Sequence, residues 1–286
     1  MTGLFEELAG AIRAEQPAAL AEVVEGPPER LGAKMLVRPG PPPEVLGSLG
    51  DPDLDRVVIR DAIGELSAGL TATRHYGLHG QARERDLSVF IESFAPPPRM
   101  VIFGAVDFTA ALVKVAKILG YRVTVCDARP VFATPARFPM ADDVVVSWPD
   151  RYLAEVGPSL GLRDAVCVLT HDPKFDVPAI VSALRTGVGY LGAMGSRRTT
   201  EERNTRLREA GVDQAGLSRV MAPIGLDIGA RTPEETAVSI CAEIIASRTG
   251  REAPSLRDRP GPIHRDAAWD RAVSRSGPAA TVTGGD

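Results

Sequence analysis

The sequence predicts an α/β protein: a Rossmann-like, doubly wound parallel-sheet domain over residues 99–248, preceded by a smaller α+β domain over residues 1–95. Three observations lead there. Beyond Pro96-Pro97-Pro98, short β-branched runs alternate with helix-period stretches, which is the pattern of strand–helix–strand units. The run Asp164-Ala-Val-Cys-Val-Leu-Thr170 is continuously apolar inside, as a strand buried on both faces must be. The triple proline is itself stiff and makes a natural boundary.

The elements follow in order. Leu4, Phe5, Leu8, Ala11 and Ile12 have helical spacing and predict a short amphipathic helix. The rest of the first 95 residues carries short strand-like and helical stretches broken by Pro and Gly. Residues 100–103 form an apolar strand bounded by Gly104. Ala110, Leu112, Val113, Ala116, Lys117 and Leu119 predict a helix ended by Gly120. Residues 121–126, rich in β-branched side chains, are the second strand, 144–146 the third, 164–170 the fourth and 189–193 the fifth. A helix is expected over residues 175–186. Two capping boxes predict helix starts: Thr199-x-x-Glu202, and Thr232-Pro233-x-Glu235 with proline at the first helical position. From Thr249 the chain is polar, Pro-rich and aperiodic, which predicts a disordered tail over residues 249–286.

Composition excludes several classes. The chain has 286 residues, 44% of them hydrophobic, enough for two modest cores. A net charge of −4 gives no broad attraction to nucleic acid or to an anionic membrane. No run reaches the roughly 18–20 apolar residues that span a bilayer. The N-terminus Met-Thr-Gly-Leu-Phe-Glu-Glu-Leu carries acids where a signal peptide starts basic, so the expectation is a cytoplasmic protein. Cys126, Cys167 and Cys241 stand singly among apolar neighbours, with no CxxC or Cys/His cluster for zinc or iron–sulfur. They read as buried thiols of a reducing compartment. His75, His79 and His264 show no metal-ligand spacing.

In an open α/β sheet, ligands sit beyond the carboxyl ends of the strands, where the strand order reverses. The first turn reads Gly104-Ala105-Val106-Asp107-Phe108-Thr109. Gly104 supplies the tight turn of a dinucleotide fingerprint. Val106 stands where a second glycine would let the backbone approach a pyrophosphate, and Asp107 places a negative charge at the helix start. Asp127 follows Gly104 by 23 positions, the spacing of a ribose-binding acid, with Arg129 beside it as an alternative partner. The expectation is a Rossmann-like fold in which ordinary NAD(P) binding is disfavoured.

Four stretches carry a family resemblance. They are Val101-Ile-Phe-Gly…Gly120-Tyr-Arg-Val-Thr-Val-Cys-Asp-Ala-Arg129, Leu169-Thr-His-Asp172, Tyr190-Leu-Gly-Ala-Met-Gly-Ser-Arg-Arg198 and Ala222-Pro-Ile-Gly-Leu-Asp-Ile-Gly-Ala-Arg-Thr-Pro-Glu-Glu235. Together they resemble the C-terminal domain of the XdhC/CoxI family, and Gly32-Ala-Lys-Met-Leu-Val37 looks like that family's N-terminal domain. The resemblance implies a helper in the maturation of xanthine dehydrogenase or CO dehydrogenase type hydroxylases. Such a helper binds molybdenum cofactor, accompanies its sulfuration and delivers it. It implies a hydroxylase client, with a cysteine desulfurase as a second partner, and not a hydroxylase in itself. This sequence departs from the family at the first turn, where Gly-x-Gly-His is replaced through Val106 and Asp107. It departs again at Gly26-Pro-Pro-Glu-Arg30, which lacks the family's serines, and at Asp53, which stands at the family's cysteine position. The soft thiolate ligand of that position is therefore missing.

The candidate cofactor-binding residues are Gly104, Asp127, Thr170, His171, Asp172, Gly195, Ser196, Arg197, Arg198, Asp227, Arg30 and Lys34. Thr170-His171-Asp172 closes the fourth strand at the mouth of the expected cleft, where a histidine can donate to an anion. The alternative for these residues is a surface Asx turn before Pro173. Gly195-Ser196-Arg197-Arg198 offers backbone amides, a hydroxyl and two guanidiniums, suited to the phosphate of the pterin cofactor; the alternative is a helix start with solvated arginines. Gly225, Asp227 and Gly229 form a glycine-spaced loop, explained by ligand approach or by close packing. Arg30 and Lys34 flank the turn at Gly32, either as ligands or as solvated cations. Three readings follow: a cofactor carrier working in the interdomain cleft, an NAD(P)-dependent oxidoreductase, and an adaptor that docks a hydroxylase or a desulfurase. A homodimer is among the arrangements the sequence allows.

Overall fold

In the computed structural model, which describes residues 2–81 and 84–258, the N-terminal region is built on an antiparallel sheet. Its strands are β1 (Ala18–Glu25), β2 (Lys34–Arg38), β3 (Glu44–Gly47), β4 (Ala72–Tyr76) and β5 (Leu87–Phe94), in the order β3-β2-β1-β5-β4. Successive residues of a strand face opposite ways. Ala18 and Leu20 of β1 accordingly meet Leu8 and Ala11 of helix α1 (Thr2–Arg13), while Ala19, Ala21 and Val23 meet helix α2 (Pro52–Ala68) through Leu54, Val58 and Ala62. Phe5 and Ile12 stay about half exposed, at 49% and 47%, so the buried stripe of α1 is narrower than its spacing predicts. Asp51 caps α2 by accepting the Asp53 and Leu54 amides at 3.1 and 3.0 Å.

The second sheet has six parallel strands: β6 (Arg99–Phe103), β7 (Arg122–Asp127), β8 (Asp143–Val146), β9 (Ala165–Val168), β10 (Tyr190–Ala193) and β11 (Val220–Met221). Their order, β11-β10-β9-β6-β7-β8, puts the reversal between β6 and β9. Met100 and Ile102 of β6 pack under helices α3 (Asp107–Ile118) and α8 (Pro233–Thr249). Val101 and Phe103 face the opposite layer of α4 (Pro149–Val156), α5 (Pro173–Leu184), α6 (Arg197–Glu209) and α7 (Gln214–Ser218). With helices on both faces, the sheet is doubly wound, as the sequence predicts.

Local differences have local causes. The expected fourth strand over 164–170 is regular across Ala165–Val168, with the Leu169 amide still donating to the Phe103 carbonyl at 2.8 Å, while the Asp164 carboxylate caps its start by accepting the Arg99 and Gly161 amides. The box at Thr199 and Glu202 does not open α6. Ser196 is the cap, accepting the Thr199 amide at 3.1 Å, and Glu202 instead pairs with Arg198 at 3.0 Å. The sequence pattern starts the helix three residues late because Ser196 caps as well as threonine does. The second box is as expected: the Glu235 amide donates to Thr232 Oγ1 at 3.1 Å, and the Thr232 amide donates to Glu235 Oε2 at 3.0 Å. Helices α4 and α7 and strand β11, at eight, five and two residues, are too short to stand out in the sequence.

The compact unit Met1–Thr249 is followed by a separate unit from Gly250. Within that second unit a 3-10 turn occupies Leu256–Asp258. The remainder of the expected tail, from residue 259 onward and including His264, lies outside the described residues. Among the described residues, no helix is long and apolar enough to cross a membrane.

Candidate functional site

Because β6 leads to β7 on one side and the chain returns to β9 on the other, the crevice opens above Gly104 and Thr170. Gly104 has φ +110°, and a Cβ there would lie 2.7 Å from Thr170 Cγ2, so only glycine lets the two strand ends close.

On the β7 side the first turn is occupied by the chain's own groups. Asp127 is buried, and its Oδ2 accepts the Ala105 amide at 2.9 Å. Arg129 grips the same carboxylate with Nε at 2.9 Å and Nη2 at 2.8 Å, and adds its backbone amide at 2.9 Å. Burial would raise the Asp127 pKa, but these hydrogen bonds and the guanidinium outweigh it and hold it below the usual carboxylate value. Arg137, from the β7–β8 connection, donates to the Ala105 carbonyl at 3.0 Å and lies 3.6 Å from Asp107. Asp107 itself points outward, its side chain 92% exposed.

On the β9 and β10 side lies a buried polar chain. Thr170 donates to Asp176 Oδ1, and Arg203 Nη2 reaches Asp176 Oδ2 at 3.1 Å and the Met194 carbonyl. The Arg203 side chain is only 3% exposed, and its Nε and Nη1 have no hydrogen-bond partner among the described residues. Each unmade hydrogen bond of a buried donor costs about 1–3 kcal/mol. Gly195 lies over this guanidinium: a Cβ there would sit 3.3 Å from Arg203 Nη2 and from Thr199. Ser196, Arg197 and Arg198 are exposed at the start of α6, whose first turn holds no acid. The sequence points to Arg197 and Arg198 and passes over Arg203. The one available signal for it is its helical spacing from Ser196 and Thr199, which sets all three on one face.

The other candidates take separate places. Asp172 caps α5 through the Lys174 amide at 3.1 Å, with Pro173 at the first helical position, and His171 beside it is exposed. Asp227 is exposed on the loop before α8. That loop reaches the end of β10 through Ile224, whose amide donates to the Ala193 carbonyl at 3.1 Å. It is held from below by Glu243, which accepts the Tyr190 hydroxyl and, at 2.9 Å, the Gly225 amide. A Cβ on Gly225 would meet Ser239 Oγ at 2.5 Å, so packing on α8 demands this glycine. In the N-terminal sheet, Arg30 donates to the Leu78 carbonyl at 2.6 Å, whereas Lys34 pairs with Glu22. The expected basic pair is therefore divided between two partners.

The interdomain cleft is not where the candidates gather. A cleft of about 720 Å³ runs between Glu15, Leu66 and Pro97 on one side and Arg99, Arg122 and Arg163 on the other, at the amino ends of β6, β7 and β9. The cause is connectivity. β5 ends at Phe94 and β6 begins at Arg99, so the N-terminal sheet is tethered to the amino edge, opposite the crevice. None of the twelve candidate residues lines this cleft, which corrects the expectation of an interdomain site.

A model of the XdhC Rossmann domain matches residues 100–244, and one of the XdhC and CoxI family matches residues 11–77. The chain belongs to the XdhC and CoxI family. A protein of Bacillus subtilis named as a probable xanthine dehydrogenase component is 34% identical over 60% of this chain and 49% of its own length. The molybdenum cofactor insertion chaperone PaoD of Escherichia coli is 26% identical over 59% of this chain and 46% of its own. This XdhC and CoxI family chain thus spans about half the length of the curated relatives it matches. A crystal structure titled as a xanthine dehydrogenase from Bacillus halodurans aligns with 87% of the chain and 97% of its own, at 23% identity and a TM-score of 0.48.

The donor set bears on molybdenum cofactor in two ways. All three cysteines are free and buried, and burial pushes the Cys126 thiol up to about 12 and the Cys241 thiol up to about 11. A metal-ligating or sulfur-relaying thiolate is therefore not on offer from them. Among the described residues, no group of three or more His, Cys, Asp or Glu is placed to hold a metal ion. An anionic group fits better. The start of α6 has two amides, those of Arg197 and Arg198, that no intrahelical carbonyl reaches, a serine hydroxyl, and the buried arginine beneath.

Proposed function

We propose that this chain is a maturation factor that binds molybdenum cofactor at the carboxyl edge of the parallel sheet and hands it to a xanthine dehydrogenase or CO dehydrogenase type hydroxylase. What carries the reading is family membership across both sheets, together with a relative whose name is that of a molybdenum cofactor insertion chaperone. The pterin's phosphate would be held at Gly195, Ser196, Arg197 and Arg198. Thr170, His171, Asp172 and Asp227 would border the crevice near the pterin, and Gly104 would keep it open. Bound there, the cofactor would keep its own metal chemistry; the chain's residues bind and orient it. Arg30 and Lys34, on the other sheet, would serve contact with a partner.

Asp127 belongs to the wall of the crevice in this reading, because Arg129 and the Ala105 amide already saturate it. The same saturation weighs against an NAD(P)-dependent oxidoreductase. The proposal includes two functional domains, 1–95 and 99–248, a cytoplasmic location and a cysteine desulfurase as sulfur source. That last assignment is supported by the burial of Cys126, Cys167 and Cys241, which withholds a thiolate nucleophile from the surface.

Purified chain loaded with molybdenum cofactor tests the proposal. Saturable pterin fluorescence, with molybdenum co-eluting in proportion, is expected. Absence of saturable binding sinks it.

A further inference from the structure

Three aromatic side chains stand outside both core layers, beyond the carboxyl ends of the parallel strands. Phe132 follows β7, Trp148 follows β8, and Phe175, in the first turn of α5, follows β9. The Trp148 indole lies on the Phe175 ring, with centroids 4.8 Å apart and planes 31° from parallel. Arg129 continues the stack: its guanidinium carbon is 5.8 Å from the Phe175 centroid and 4.6 Å from that of Phe132. Asp127 holds this guanidinium in place through Nε at 2.9 Å and Nη2 at 2.8 Å. Phe175 is covered, at 8% exposure, whereas Trp148 and Phe132 keep 40% and 41%. Stacking covers one indole face, so the open surface of Trp148 is the opposite face and the rim. Trp148 precedes α4 as its cap residue but makes no side-chain capping bond, so the helix start does not call for a tryptophan.

Open aromatic surface on a stack anchored from three connections marks a contact site, and its charge limits the occupant. Each cation beside the rings already has a carboxylate: Arg129 has Asp127 at 2.8 Å, Lys174 has Asp172 at 3.5 Å and Arg137 has Asp107 at 3.6 Å. Such a balanced surface has no charge to offer a phosphate; it suits a flat, uncharged ring with polar edges. We propose that the stack of Trp148, Phe175, Arg129 and Phe132 is the platform for the pterin ring of molybdenum cofactor, with the open indole face as the principal contact. The inference deepens the proposed cofactor site and rests on that reading. Ligands of open α/β sheets lie beyond these strand ends, and β9, which leads to Phe175, neighbours β10, which leads to the start of α6. One molecule can therefore place its ring on the platform and its phosphate one strand away. A docked segment of the hydroxylase is the competing occupant.

The full chain is titrated with unsubstituted pterin by calorimetry, beside Trp148→Ala, Trp148→Phe and Phe132→Ala. The Trp148 indole N–H is followed by ¹H–¹⁵N NMR in a chain carrying Trp269→Phe, which removes the only other tryptophan. Saturable binding is expected, with a shift of the indole resonance. Affinity should fall at least about fivefold in Trp148→Ala, the scale of one base–aromatic stacking contact, and largely return in Trp148→Phe. Equal affinity in all four proteins, or binding that leaves the indole resonance unmoved, overturns the platform. So does a Trp148→Ala chain that keeps its pterin affinity but no longer holds a hydroxylase subunit, which would assign the patch to the client. Should Trp148→Ala fail to fold, the resonance and Phe132→Ala still decide. A chain that takes up whole cofactor but not pterin, or takes it up equally well without Trp148, ends this inference and leaves the proposed function standing; if neither binds, both fall.

Discussion

Arg137 donates to the carbonyl of Ala105 at 3.0 Å across 32 residues, so the β7–β8 connection is fastened over the first turn of the parallel sheet. The backbone surface that a dinucleotide's pyrophosphate would approach is already in use from both sides, by Arg137 at the carbonyl and by Asp127 at the amide. Titration with NADH or NADPH is therefore expected to give no saturable fluorescence change at millimolar concentration. Saturation in that range would show that the network opens.

Asp127 should make the chain acid-sensitive. Its folded pKa is lowered, so the folded state binds its proton less readily than the unfolded chain. Its contribution is complete above the ordinary carboxylate value of 3.8 and is lost as pH falls through the lower folded value. Asp127→Asn should cost about 1–3 kcal/mol at pH 7, because Arg129 and the Ala105 amide lose an ionised acceptor. Urea melts at pH 7 and pH 3 check this: the gap between the two proteins should narrow at the acid end.

Gly104→Ala combines an unfavourable positive φ with a 2.7 Å approach to Thr170 Cγ2. It should destabilise by more than about 2 kcal/mol, since strain and overpacking each contribute on that scale. A denaturant midpoint unchanged from that of the unaltered protein would contradict this account of the strand ends.

The two helix caps make opposite predictions for two threonines. Thr232→Ala removes the acceptor of the Glu235 amide and should cost about 1 kcal/mol. Thr199→Ala lies inside α6 and should stay within about 0.5 kcal/mol of the unaltered protein. Ser196→Ala should instead behave like Thr232→Ala. Equal losses at Thr199 and Thr232 in thermal melts would restore the box that the geometry removes.

Much of the fold is legible in the sequence because it is written in short-range periods. The β-branched runs of β6, β7 and β9 and the Thr232–Glu235 box are local signals, and the structure places them where those signals stand. The start of α6 is not legible, because two adequate caps, Ser196 and Thr199, stand three residues apart. Which of them works depends on where β10 delivers the chain. Arg30 and Lys34 look like a pair because they are close in sequence, but adjacent positions of a turn and a strand need not share partners.

Sequence by itself determined the alternating strand–helix order, the tight turn at Gly104 and the family motifs at Gly195-Ser196 and Pro223-Ile-Gly-Leu-Asp227, since each depends on neighbours a few residues apart. Only the tertiary structure decided that the N-terminal sheet joins the amino edge, that Asp127 is locked by Arg129, and that Arg203 rather than a surface arginine lies beneath Gly195. Those facts depend on groups brought together from distant elements, where burial removes water and makes each polar partner costly to leave unmatched.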